Sequence, residues 1–231
     1  MSVEREMLIS LLMLTQNGDV LIKDVNNAIR LSTSVISELL EKFQNEELLN
    51  LQSDVIKIPR DKRLRMAVKA VSLGADVERV SAFLRWQEFE DIAAVALERN
   101  GYGVVENVRF KHEGKRWEID VIGCKKPLVA CIDCKHWSRV APSALKRIVE
   151  AQVQRVRALA ESLPNIAVEL ECTKWDKAKF VPVVLSLTQA RFKFYDNVPV
   201  VPVLQLQDFL SQLPAYTESL KYFLKEFTHL G

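Results

Sequence analysis

The stretch that decides the fold runs from Glu118 to Trp137 and reads EIDVIGCKKPLVACIDCKHW. Two short apolar runs, separated by turn residues, predict a pair of buried strands because both have the length and the β-branched content of strands. Three charged residues, Asp120, Asp133 and Lys135, lie inside these runs. A buried charge without a partner costs on the order of several kcal/mol. Their presence therefore indicates a functional site on the strands.

The composition is that of a globular protein without an extreme charge. The 231 residues allow one large domain or two modest ones. The hydrophobic fraction is 48% and the charged fraction 27%. With a formal net charge of only +2, any binding of nucleic acid must depend on local basic patches.

The N-terminal apolar run, Leu8 to Leu14, does not have the form of a signal peptide. It follows Glu4 and Glu6 and lacks a small-residue cleavage site. No apolar stretch approaches the ~20 residues that a membrane helix needs. We therefore expect a cytoplasmic protein that makes no membrane contact, with reduced cysteines.

Cys131 and Cys134 form a CxxC pattern, which could indicate a zinc or redox site. Side chains alternate along a strand, so two positions three apart point to opposite faces. The two thiols could not hold one ion without breaking the strand. Small buried residues are the favoured interpretation.

The first 80 residues predict an α-rich unit. Helices are expected at 3–15, 22–29 and from Ser32 or Thr33 to Asn45, followed by a hairpin in LLNLQSDVIKI and a helix from Arg60 to Leu73. Three helices and a hairpin in this order resemble the winged helix-turn-helix superfamily. We predict a winged-helix-like domain with a connecting helix over residues 1–80.

Residues 81–231 predict an α/β domain. A helical segment begins near Val77 and either continues into or bends before the helix in WQEFEDIAAVALERNGY. Three strands follow from Gly103, then a helix from Pro142 to about Leu163, two apolar strands in FVPVVLSL and VPVVPVL, and one or two closing helices around Pro214.

The charged residues of the two central strands are expected to meet. Asp133 and Lys135 are two positions apart and share a face, and Asp120 on the paired strand can reach the same end. Neighbouring carboxylates repel unless a cation stands between them. Oxygen ligands suit Mg²⁺ or Mn²⁺, and a nearby lysine can orient a metal-bound water. A buried salt bridge between Lys135 and either aspartate is the alternative.

The residues Ile119-Asp120 and Asp133-Cys134-Lys135 resemble the PD-(D/E)xK nuclease motif, with Ile in place of Pro. Over about residues 86–205 the chain is similar to the archaeal Holliday-junction resolvases and the Mrr-type endonucleases. The resemblance implies a restriction-endonuclease-like αβββαβ core with a central mixed sheet. It also implies that Asp120, Asp133 and the Cys134 carbonyl bind Mg²⁺ or Mn²⁺, that Lys135 positions the attacking water, and that Glu90 completes the site.

Gln152 lies on the apolar stripe of the helix that begins at Pro142 and needs a polar partner there. Some nucleases of this superfamily bring a glutamine of this helix to the site, so Gln152 is a candidate catalytic residue. A hydrogen bond to a nearby backbone group explains it equally well.

Two groups of basic residues are candidates for nucleic-acid contacts, against the alternative of solvated faces. The first group contains Lys57, Arg60, Lys62, Arg63 and Arg65, and the second contains Arg139, Lys146 and Arg147. The third predicted helix, by contrast, is acidic, which disfavours its insertion into the major groove. The N-terminal part could instead dimerise, bind a protein, or hold DNA through its wing.

These features predict a metal-dependent endodeoxyribonuclease with DNA as its partner, and a homodimer if it acts as a resolvase. Branched-DNA resolution, restriction and repair remain open. The alternative is a non-catalytic DNA-binding or regulatory protein on a nuclease-like scaffold.

Overall fold

A computed structural model describes residues 2–135, 141–187 and 193–228. The chain forms two compact units, Met1–Phe89 and Glu90–Gly231. The predicted domain boundary near residue 80 stays a prediction.

The first unit consists of helices around a small antiparallel sheet whose strand order is β1-β3-β2. Its elements in chain order are α1 (Val3–Leu14), β1 (Val20–Leu21), α2 (Ile22–Ala28), α3 (Thr33–Asn45), β2 (Asn50–Gln52), β3 (Val55–Lys57), α4 (Arg60–Ser72) and α5 (Val77–Ser81). The predicted helices and hairpin are present. The sequence missed β1, which is only two residues long and carries no periodicity. The winged-helix assignment stays a prediction.

The segment after α4 is interrupted rather than continuous. Helix α5 ends at Ser81, and the next helix, α6 (Trp86–Arg99), starts five residues later. The Glu88 carboxylate closes the start of α6 by accepting a hydrogen bond from the Arg85 amide at 2.7 Å. This contact satisfies one of the backbone groups that a helix N-terminus leaves unpaired.

The second unit is built on a mixed sheet of 7 strands, as defined by the described residues. Three antiparallel strands, β4, β5 and β6, are followed by strands β7 and β9, which run parallel to β6. Its elements are β4 (Gly103–His112), β5 (Lys115–Lys125), β6 (Leu128–Lys135), α7 (Pro142–Ser162), β7 (Lys177–Ser186), β8 (Phe194–Tyr195), β9 (Val198–Pro202), α8 (Leu206–Tyr216) and β10 (Phe223–Glu226). Together with α6, this order is the predicted αβββαβ core of a restriction-endonuclease-like fold.

The two helices of the core, α6 and α7, pack against the sheet. The apolar side of α7, including Val156 and Leu159, shares one buried core with Val129 and Cys131 of β6. On β5, a Cβ atom at Gly123 would lie 2.5 Å from Leu97 of α6. A glycine at this position therefore lets α6 approach the sheet closely.

The C-terminal tail corrects the sequence-based expectation. One or two closing helices were predicted around Pro214, and the described residues form one, α8, which contains Pro214 in its last turn. The residues after it form β10, which pairs antiparallel with Lys177–Phe180 of β7. The alternating exposure of β10 spans only four residues, too few for its period to be recognised. None of the described helices is both long and apolar enough to cross a membrane.

Candidate functional site

Asp133 and Lys135 lie at the carboxyl end of β6, on the same side of the strand. The Lys135 Nζ atom donates to Asp133 Oδ1 at 2.8 Å. Asp133 is only 3% exposed, whereas the lysine side chain is 23% exposed and reaches the surface. The i, i+2 spacing of the strand therefore brings a buried carboxylate and a partly accessible ammonium group into contact.

Asp120 reaches the same strand end from β5. The β4–β5 pairing is interrupted beside it, where Asn107 of β4 has a left-handed φ of 53°. The Asp120 Oδ2 atom accepts a hydrogen bond from the Cys134 backbone amide at 2.7 Å. The carboxylate thus lies against the peptide that separates Asp133 from Lys135.

The surroundings of Asp120 favour its protonated form. Burial, followed by the charge of Asp133, raises its pKa to about 6, although the Cys134 amide, Lys135 and Arg155 act in the opposite direction. Two carboxylates that compete in this way are stabilised by a cation. The repulsion between Asp120 and Asp133 therefore favours the binding of a positively charged ligand between them.

Glu90 lies on α6 and is 3% exposed. Burial is the largest cause of the raised pKa of the Cys134 thiol, and the charges of Asp120, Glu90 and Asp133 raise it further. All three acids thus act on one thiol at the end of β6. Across the described residues, however, no three His, Cys, Asp or Glu side chains form a group that could hold a metal ion by themselves.

Arg155 is a site residue that the sequence analysis missed. Its guanidinium Nη1 donates to Asp133 Oδ1 at 2.9 Å, the same oxygen that Lys135 contacts. It also donates to Gln152 Oε1 at 3.4 Å. The available signal was its position three residues after Gln152, which places both on neighbouring positions of the same helix face.

Gln152 is fully buried and bonds mainly to the backbone. Its Nε2 atom donates to the Cys131 carbonyl at 2.8 Å and, more weakly, to the Val183 carbonyl at 3.5 Å. The Gln152 amide therefore bonds to backbone carbonyls, as the second interpretation of this residue expected. Among these contacts, Gln152 reaches Asp133 only indirectly, through Arg155. A catalytic role for Gln152 stays a prediction.

The two aspartates fit a divalent ion. Asp133 Oδ2 is buried and has no hydrogen-bond partner in the described part of the chain. Buried polar atoms are normally satisfied, so this oxygen is available to a ligand. Mg²⁺ is usually held by one or two carboxylates, with waters and substrate phosphates in its other positions. A pair of aspartates is therefore sufficient, and a cage of three side chains is not required.

Asp120 makes stability depend on pH in a defined direction. Its pKa is raised from 3.8 to about 6 in the folded protein, so its ionisation opposes folding. This cost is absent below pH ~4, grows as the pH rises through 6, and reaches about 3 kcal/mol above it. We expect Asp120→Asn to be more stable than the parent protein at pH 7.5 in chelator, and about equal to it at pH 4.

Urea unfolding at both pH values measures this difference. Asp208→Asn, which changes an exposed aspartate on α8, is the matched control and should shift neither curve. A loss of stability in Asp120→Asn at pH 7.5 would show that the carboxylate is stabilised in its charged form.

The first predicted basic group is largely engaged in contacts within its own unit. Arg60 donates to the Gln87 carbonyl and Lys62 to Asn50, while Lys57 and Arg65 lie 3.9 Å from Asp19 and Glu47. These are exposed contacts and leave the side chains accessible.

The predicted nucleic-acid contact of Arg63 is wrong. It is 0% exposed, and its guanidinium donates to Glu88, Thr15 and the carbonyls of Leu12 and Phe83. A fully enclosed guanidinium has no surface to offer a phosphate, so Arg63 is removed from the predicted nucleic-acid set.

The second basic group is partly described. Lys146 and Arg147 are exposed in the first turns of α7, with Lys146 3.9 Å from Glu150. Arg139, which belongs to the same prediction, lies outside the described residues. The nucleic-acid roles of this group stay predictions.

The CxxC cysteines lie as expected. Cys131 and Cys134 are buried with free thiols, and so are Cys124 and Cys172. Cys131 belongs to the core beneath α7, whereas the Cys134 thiol is influenced by Glu90 of α6.

Comparison with known proteins gives one family match and a few relatives. Residues 82–169 match the family model Mrr_cat, described as a restriction endonuclease. An uncharacterised protein of Archaeoglobus fulgidus is 30% identical over 135 residues, which are 58% of this chain and 95% of that protein.

Two solved structures are more distant. Protein VC1899 from Vibrio cholerae is 12% identical with a TM-score of 0.43, and the match covers 94% of this chain and 51% of that one. Protein AF1548, of unknown function, is 14% identical with a TM-score of 0.29, and the match covers 42% and 46% of the two chains. This chain thus spans about half the length of either solved protein, and both likenesses are too weak to add to the fold assignment.

Proposed function

Because residues 82–169 match a family model described as a restriction endonuclease, we propose that the chain is a divalent-metal-dependent endonuclease that hydrolyses phosphodiester bonds in DNA. The nuclease class follows from the family. The observation that carries the finer proposal is the meeting of Asp120, Asp133 and Lys135 at one strand end, with a buried Asp133 oxygen that has no hydrogen-bond partner among the described residues.

Each side chain of the site has a distinct proposed role. Asp133 Oδ2 and the Asp120 carboxylate would hold Mg²⁺ or Mn²⁺, with the Cys134 carbonyl and Glu90 as further proposed contributors. When bound, the ion supplies charge neutralisation at phosphorus and a lowered pKa for its water. Lys135, whose side chain is partly exposed, would orient the attacking water and stabilise the charge that develops on the phosphate.

The placement of DNA is proposed from the accessible basic residues. Lys146 and Arg147 lie in the first turns of α7, which follows β6 in the chain after the segment that contains Arg139. Phosphate contacts of this kind fix the register of DNA without reading its sequence. Lys57, Arg60, Lys62 and Arg65 would offer a second phosphate-binding surface on the first unit.

The role of the first unit and the assembly state are also proposals. A winged-helix-like unit with an acidic α3 is better suited to dimerisation or to a protein contact than to groove insertion. A homodimer would suit an enzyme that cuts two strands symmetrically. We propose a cytoplasmic protein on the basis of its sequence.

The proposal is tested with purified protein and end-labelled DNA. Duplex, single-stranded, flap and four-way-junction substrates are incubated with Mg²⁺, with Mn²⁺, or with chelator. We expect cleavage of at least one DNA with either metal and none in chelator. Cleavage that is unaffected by chelator would contradict the proposed chemistry.

A second candidate function is a non-catalytic DNA-binding or regulatory protein on the same scaffold. It is favoured by the two cations that already contact Asp133 Oδ1 and by the absence of a three-ligand group among the described residues. Binding of these DNAs without cleavage under any metal condition would favour this candidate.

A further inference from the structure

Two cations compensate for the two aspartates at the end of β6, where Glu90, which also acts on the Cys134 thiol, is a third buried acid. Asp120 and Asp133 contribute two negative charges, and Lys135 and Arg155 contribute two positive charges within reach of them. Buried carboxylates require such compensation because an unpaired buried charge is costly. The two cations offset part of the cost of burying both aspartates, each of which is 9% exposed or less.

The two cations contact only one of the two carboxylate oxygens of Asp133. Both Lys135 Nζ and Arg155 Nη1 donate to Oδ1, at 2.8 and 2.9 Å, while the buried Oδ2 has no hydrogen-bond partner among the described residues. One oxygen is thus saturated and the other is available. A divalent ion that enters at Oδ2 would lie next to a positive charge already held on the same carboxylate.

Arg155 has a second polar contact on its own helix. It is held by Gln152, which is 0% exposed and is fixed in turn by the carbonyls of Cys131 and Val183 on two neighbouring strands. Arg155 itself is 27% exposed. The planar guanidinium presents several donors, which suit both a carboxylate and a phosphate.

From these contacts we infer that Arg155 is a resident counter-ion of Asp133, which stabilises the metal-free site and weakens the binding of a divalent ion until a DNA phosphate is present. This inference rests on the proposed function, because it concerns the same metal site. Entry of the ion gives the site excess positive charge. The phosphodiester supplies the missing negative charge, and its oxygens are good acceptors for a guanidinium. Ion and DNA would therefore strengthen each other's binding.

The inference predicts a gain of metal affinity when the arginine charge is removed. A divalent and a univalent charge ~6 Å apart repel enough, even in water, to change an affinity about tenfold. We expect Arg155→Met to bind Mn²⁺ about tenfold more tightly than the parent protein when no DNA is present. Arg155→Lys, which keeps the charge, should bind Mn²⁺ about as weakly as the parent.

Titration of free Mn²⁺ by electron paramagnetic resonance measures these affinities without any enzymatic activity. Arg157→Met removes the same charge from an exposed position of α7 and is the matched control, with no expected change. A circular dichroism spectrum establishes that each variant is folded, and Arg155→Gln replaces Arg155→Met if the latter does not fold. Unchanged or weaker Mn²⁺ binding in the charge-removing variant would overturn the counter-ion role. Failure of the parent and of every variant to bind Mn²⁺ would instead overturn the proposed metal site and this inference with it.

Discussion

Lys135→Ala is expected to lower the single-turnover rate of DNA cleavage by about 10²–10³-fold, because it removes the group proposed to orient the attacking water and to stabilise the developing phosphate charge. Asp133→Asn should lose at least as much, since the neutral amide has one oxygen fewer and is a weaker ligand for a divalent ion than the carboxylate. The asparagine preserves side-chain volume and still has an oxygen to accept from Lys135 and Arg155. The measurement is the rate of cleavage of a labelled DNA at saturating Mg²⁺ and excess protein.

The control for this experiment is Lys177→Ala. Lys177 is an exposed lysine at the opposite end of the sheet, beside β10, and its removal should leave the rate unchanged. Melting curves must first show that the variants are folded. A folded Lys135→Ala protein that cleaves at the parent rate would exclude the role proposed for this lysine.

The second large effect concerns the stability of the first unit. Arg63→Met is expected to lower the free energy of unfolding by about 3–5 kcal/mol, because it leaves the Glu88 carboxylate buried without its partner. The Arg63 Nε–Glu88 Oε1 distance is 2.6 Å and both side chains are 0% exposed. The Leu12 and Phe83 carbonyls would lose their donors at the same time.

The double variant Arg63→Met with Glu88→Gln separates the charge from the packing. Removing both charges should recover part of the loss, since the cost of one buried ion disappears. Arg65→Met, at an exposed position of the same helix, should change stability by less than about 0.5 kcal/mol. Urea unfolding followed by circular dichroism measures all three. A small effect of Arg63→Met alone would mean that Glu88 is stable without the ion pair.

Local patterns predicted the elements of this fold well where they were long. The start of α3 at Thr33 and its end at Asn45 agree with the predicted bounds, although the Ser32 side chain makes no capping hydrogen bond, and β6 follows from its apolar run. Strands β1, β8 and β10 were missed because two to four residues carry no readable period. The pairing of β1 and β10 is decided by strands that are distant in the chain.

The same division applies to the candidate site. The contact between Asp133 and Lys135 is a property of one strand and can be read from a spacing of two. Arg155 was missed, because its position three residues after Gln152 gives only its helix face, and its contact with Asp133 depends on how α7 packs across the sheet. Arg63 was misassigned for a related reason. It belongs to a run of basic residues, and only the fold brings Glu88, 25 positions away, into contact with it.

The most direct test of the central claim is to locate the bound divalent ion on the chain. Fe²⁺ bound in place of Mg²⁺, with ascorbate and peroxide, cuts the polypeptide next to the ion, and mass spectrometry identifies the cut sites. We predict cuts near Asp120 on β5 and near Asp133 on β6, suppressed by excess Mg²⁺ and lost in Asp133→Asn. Cuts confined to other parts of the chain, or cuts at these strands that persist in Asp133→Asn, would contradict the account.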